Sequence, residues 1–129
     1  MDERDLNVKG NIALCEAEAG HLAEEENAFL DLIEQEQATN APVLERILTQ
    51  NNLARVLQRQ GHLKESEKIF RQALHSTEPH HQQESSVLLV KYYLATLYES
   101  MGKFKDAISL LKETFNVKEL RVGIQSQPL

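Results

Sequence analysis

The stretch NNLARVLQRQGHLKESEKIFRQAL, from Asn51 to Leu74, decides the fold. Before Gly61, Leu53, Ala54 and Leu57 recur at helical steps. After it, Leu63, Ser66, Ile69, Phe70, Ala73 and Leu74 mark one face of a second helix. A glycine at that point supplies the left-handed residue on which one helix can stop and the chain reverse. The unit is a helical hairpin. Its first helix is oddly polar, since Asn51, Asn52, Arg55 and Arg59 lie within a turn of the buried leucines.

The same pattern occurs three times. NIALCEAEAGHLAEEENAFLDLI from Asn11, NLARVLQRQGHLKESEKIFRQAL from Asn52 and YLATLYESMGKFKDAISLLKETF from Tyr93 align without gaps. Gly20, Gly61 and Gly102 fall 41 residues apart, each preceded at seven residues by Ala13, Ala54 or Ala95. Leu22, Leu63 and Phe104 follow two residues after each glycine, and Asn11 matches Asn52. A fixed period of this length is the signature of a solenoid, in which each hairpin buries its apolar face against the next. The alanine column puts a small side chain where two helices cross closely. Copy one departs at Glu25, which stands where Ser66 and Ala107 supply a small inter-helix residue. Either Ala28 takes over that contact or the first hairpin packs loosely.

These residues resemble the tetratricopeptide repeat: a small residue, glycine seven later, Leu or Phe two beyond, then Phe29, Phe70 or Leu111 seven further on. The usual unit is about 34 residues. The longer unit here is similar to the kinesin light chain repeats, and the likeness covers residues 5–116, best in the middle copy. It implies an all-α fold, a right-handed α-α superhelix of three helical hairpins. The expected repeats are 5–38, 42–78 and 83–118, with a tail at 119–129. The expected helices are 5–18, 22–37, 42–59, 63–77, 83–100 and 104–118. Pro42 and Pro79 lie in the separating stretches, where proline discourages a helix from running on.

Composition agrees with one helical domain. The 129 residues are 41% hydrophobic and 26% charged, with only five glycines, three prolines and 5% aromatics, too few turn residues for a sandwich or barrel. Cys15 is the single cysteine, which rules out an internal disulfide and a thiolate metal cluster and fits a reducing compartment. The acidic start MDERDLN does not read as a signal peptide, and no apolar run approaches the roughly 18 residues of a membrane span. A cytoplasmic protein without membrane contact is expected. Net charge is −6, with 11 acids against 2 bases in residues 1–40 and a mildly basic remainder. Nothing there supplies the concentrated basic surface that nucleic acid requires.

The first helix of each pair lines the concave side in this architecture. On the middle copy Leu48, Asn51, Asn52, Arg55, Gln58 and Arg59 form that stripe. Its counterparts are Asn7, Gly10, Asn11, Leu14 and Glu18 before it, and Leu89, Tyr92, Tyr93, Thr96 and Ser100 after it. An asparagine amide can satisfy both an N–H and a C=O of an extended chain. In the long-unit family, asparagines at the places of Asn51 and Asn52 hold a peptide by its backbone. The resemblance therefore implies a protein or peptide ligand held by Asn11, Asn51, Asn52, Arg55, Arg59, Tyr92, Tyr93 and Thr96. The arginines would meet a carboxylate and the tyrosines act as anchors. The carboxylate clamp of chaperone-binding relatives is not reproduced, because Gly10, Leu14 and Tyr93 stand at its positions.

Other constellations are weaker. His75, His80 and His81 lack Cys or acid partners at ligand spacing, so no metal site is expected. No phosphate-cradling loop or nucleophile–base pair is present, so neither an enzyme nor a cofactor is expected. Phe104, Ile108, Leu111 and Phe115 form an apolar face followed only by NVKELRVGIQSQPL. An open face there suggests a homo-oligomer formed through the C-terminal end. Self-association of this kind is the alternative to groove binding.

Overall fold

The computed structural model describes residues 3–114. The expected tail at 119–129, and Phe115 with it, lie outside the described residues. Within them the chain is all helical: α1 (Glu3–Ala38), α2 (Val43–Arg59), α3 (Leu63–His75), α4 (Ser85–Ser100) and α5 (Phe104–Thr114), with a short 3-10 turn at Pro79–His81. Helices α2 and α3 form one hairpin and α4 and α5 the next, with α4 packing on both members of the first. No strand occurs among the described residues.

Both hairpins turn as the glycine spacing requires. Gly61 (φ 86°) and Gly102 (φ 76°) take the left-handed conformation. At each, two backbone bonds close the helix end: Gly61 N–H to Gln58 O and His62 N–H to Leu57 O, then Gly102 N–H to Glu99 O and Lys103 N–H to Tyr98 O. This pattern satisfies carbonyls that a helix terminus otherwise orphans. The alanine column does its part too. Ala54 and Ala95 are fully buried, and the Ser66 hydroxyl donates to Ala54 O at 2.6 Å across the first crossing. The continuous core takes in Ile47, Phe70, Val87, Val90, Leu94, Leu97 and Tyr98, drawn from α2, α3 and α4.

The first pair of expected helices, 5–18 and 22–37, is a single 36-residue helix. Gly20 stays helical, and α1 stops instead at Asn40 (φ 52°), where Asn40 N–H bonds Gln37 O and Ala41 N–H bonds Glu36 O. The physical reason lies in two acids. Forty-one residues on from Glu16 and Glu25 stand Leu57 and Ser66, both buried in the α2–α3 crossing. A matching first hairpin would bury two carboxylates there, at a cost of several kcal/mol each. Running on as a helix keeps Glu16 exposed and lets Glu25 pair with His21 at 2.9 Å. Good helix formers (AEA at 17–19) make that choice cheap.

Candidate functional site

The polar stripe on α2 lies beside its counterpart on α4, because α4 packs on α2 as the first helix of the next hairpin. Arg55 is exposed, and its guanidinium carbon sits 4.1 Å from the centre of the Tyr93 ring. This cation–π contact holds the guanidinium in place without neutralising it. Tyr92 stands edge-on to Tyr93, ring centres 5.3 Å apart at 74°, and is itself exposed. Asn52, half-buried, shares with Glu25, Phe29, Arg55, Val56 and Arg59 a cavity of about 220 Å³ between α1 and α2. Arg55 therefore lines the Asn52 cavity on one side and touches Tyr93 on the other.

The remaining expected residues are placed differently. Asn51 is 1% exposed, and its side-chain oxygen has no hydrogen-bond partner; it packs into the helix crossing rather than opening onto the groove. Arg59 is occupied, its guanidinium 2.6 Å from Glu18 and 3.7 Å from Glu25. The Thr96 hydroxyl donates to Tyr93 O one turn back at 2.7 Å, which leaves its oxygen free only as an acceptor. Asn11 is exposed on the first half of α1. With α1 unbroken it lies roughly 21 Å up the helix from Glu25, and the structure does not bring it to the others. The copy-one rung of the groove is thus replaced by acids of α1, and Arg55 pairs with no carboxylate among the described residues.

A second polar cluster, on the opposite side, escaped the sequence reading. Tyr98 is buried in the core, yet its hydroxyl accepts from Arg71 at 2.7 Å, while Glu67 lies 3.4 Å from both Arg71 and Lys103. Burial, reinforced by the Glu67 charge and partly offset by Arg71, pushes the Tyr98 phenol above its usual value. The four side chains tie α3 to α4 and to the start of the α5 hairpin. Only the phase of Tyr98 opposite the groove tyrosines could have signalled it. The histidine cluster is also structural in part: His81 accepts from the Glu78 N–H and closes the 3-10 turn.

Comparison with known proteins agrees with this geometry. The family model described as the tetratricopeptide repeat matches residues 45–119, from the start of α2 onward. The match leaves out α1, where the hairpin pattern fails. A crystal structure from Podosopora anserina, described as a kinesin light chain with nearly identical TPR-like repeats, aligns with a TM-score of 0.65 at 19% identity. The alignment covers 89% of this chain and 56% of that one, so the chain spans little more than half of its length. At that identity the likeness speaks for the fold alone. No curated protein matches the chain.

Proposed function

The chain belongs to the tetratricopeptide repeat family, whose repeats are generally protein-interaction modules and not enzymes, and from that premise we propose that its α2–α4 groove binds an extended, acidic peptide segment of a partner protein in a scaffolding or regulatory role. The observation that carries the reading is Arg55: a guanidinium held over the Tyr93 ring, exposed, and without a carboxylate partner among the described residues. A ligand carboxylate there gains a charge-assisted bond at little ordering cost. Asn52, three residues and just under one turn away, offers donor and acceptor to the peptide backbone, and exposed Tyr92 offers an apolar anchor. Arg59, already neutralised by Glu18 and Glu25, contributes less.

The test is a peptide array of acidic and neutral segments probed with the intact chain, followed by titration of the captured sequence. Asn52→Ala with Arg55→Ala abolishes that binding without moving the melting temperature, whereas Arg59→Ala weakens it only a few-fold. A double variant that binds normally refutes the groove reading. The open face of α5, where Phe104 is 62% and Ile108 51% exposed, favours a second reading as a self-docking end. Ile108→Asp would then lower the sedimenting mass.

A further inference from the structure

Helices α3 and α5 both pack on α4 but scarcely on each other. The cleft between them, on the side opposite the groove, holds a cavity of about 310 Å³, near the lower end of the range for ligand pockets. Its base is apolar: Leu94 and Tyr98 are buried, Leu74 and Leu110 half-buried. Its rim is polar and exposed, with Arg71 and His75 on the α3 side and Asp106 and Ser109 on the α5 side. Arg71 is held from beneath. Its Nη2 donates to the Tyr98 hydroxyl at 2.7 Å and lies 3.4 Å from Glu67, which leaves Nε and Nη1 unused. The side chains of His75, Asp106 and Ser109 make no hydrogen bond or ion pair among the described residues. They are too far apart for a nucleophile–base relay, so the cavity binds rather than reacts.

A row of cations leads into this opening. Lys64, Lys68, Arg71 and His75 follow at steps of four, three and four, a line about 16 Å long on one face of α3. They line a trough of about 460 Å³ that shares Arg71 and His75 with the cavity. Lys64 and Lys68 are exposed and pair with no acid among the described residues. Glu65, beside them in sequence, lies 4.0 Å from His62, and Glu67 is shared between Arg71 and Lys103. The row therefore keeps a positive surplus in a chain whose net charge is −6.

We propose that the row and the cavity form a second docking site, for an acidic segment of a partner protein that carries one bulky apolar side chain. The apolar side chain enters the cavity over Leu74, Leu94 and Leu110, and the acids lie along α3 toward Lys64. A carboxylate on Lys64 or Lys68 gains a charge-assisted bond. Arg71 is already ordered by Tyr98 and Glu67, so using its free N–H groups costs little. Each feature narrows the ligand. The row runs well past the cavity, which is more than a small molecule can span. Glu67 and Asp106 within the footprint oppose the evenly spaced phosphates of a nucleic acid, whereas a peptide can place its acids clear of both. Asp106 also sets the polarity: past the anchor, at the α5 rim, the segment presents a base or a neutral donor. No residue is shared with the α2–α4 groove, so the site stands or falls independently of it.

The experiment is fluorescence anisotropy of the full chain with labelled synthetic peptides, each holding one leucine flanked on one side by three glutamates at alternate positions, in both orders. One order binds with a dissociation constant of roughly 10–100 μM that rises with salt. Lys64→Glu with Lys68→Glu, both at exposed sites, raises that constant at least about tenfold and flattens the salt dependence. Replacing the peptide's leucine by alanine weakens wild-type binding about tenfold. Ser109→Trp, which fills the cavity from an exposed position, removes that leucine preference while the circular dichroism melt is unchanged. Asn52→Ala with Arg55→Ala leaves all of these values as they are. The proposal is overturned if neither order binds, if the lysine variant binds normally, or if the leucine-free peptide binds as well. It is also overturned if the Asn52/Arg55 variant loses the binding, which assigns it to the groove, or if a single-stranded oligonucleotide displaces the peptide at equal concentration.

Discussion

Replacing each of the three register glycines by alanine separates a turn from a straight helix by the sign of the effect. At Gly61 (φ 86°) and Gly102 (φ 76°) an added Cβ meets no atom within 4 Å, so packing drops out and only backbone strain remains. A left-handed L-residue costs about 1–2 kcal/mol. The lower entropy of the unfolded alanine chain offsets part of that strain, so a net loss of about 1 kcal/mol is expected at both sites. Gly20 also has open space around its Cβ, but it sits inside α1 with a helical backbone. Alanine there gains about 0.8–1 kcal/mol. For a chain of this size 1 kcal/mol moves the melting temperature by about 3–6 °C, so Gly61→Ala and Gly102→Ala melt lower. Because the outer part of α1 lies beyond α2, the Gly20 gain appears chiefly as added far-ultraviolet helicity and slower amide exchange over residues 12–24. If Gly20→Ala instead loses stability as Gly61→Ala does, the chain reverses at Gly20 and the continuous α1 is wrong.

Asn51→Leu removes a buried carbonyl oxygen that has no partner and should raise stability by about 1 kcal/mol in urea titration; a loss of that size would show that a bound water or a ligand uses the amide. Ser66→Glu imposes on the second hairpin the acid that copy one carries at Glu25. It should cost more than about 3 kcal/mol, read as a collapse of the cooperative melt. Tyr98 adds a pH dependence. Since its folded phenol holds the proton more tightly than an unfolded one, its contribution is complete below about pH 10 and lost as pH rises through the higher folded value. Tyr98→Phe loses about 1 kcal/mol at neutral pH with the Arg71 hydrogen bond, and its stability then falls less steeply than the wild type's in alkaline denaturation series.

Much of this architecture was legible because it is local. The 41-residue register of Gly61 and Gly102, the alanines seven residues before them and the apolar steps on either side specify two hairpins through backbone and periodicity alone. Those two glycines turn left-handed as the spacing requires. Gly20 obeys the same spacing and does not turn. Whether a hairpin closes depends on what its crossing must bury, and Glu16 and Glu25 become prohibitive only against the positions that Leu57 and Ser66 occupy in three dimensions. The groove divides the same way. Sequence put Asn51 and Asn52 side by side on one stripe, but one residue is 100° of helix rotation, and that rotation buries the first and opens the second. It also aligned Arg55 with Arg59, one turn apart; only the packing of α1 and α4 against α2 gives Arg59 two carboxylates and Arg55 a tyrosine ring. Periodicity assigns a side chain to a face, and the neighbouring helix then decides whether its charge is spent or available.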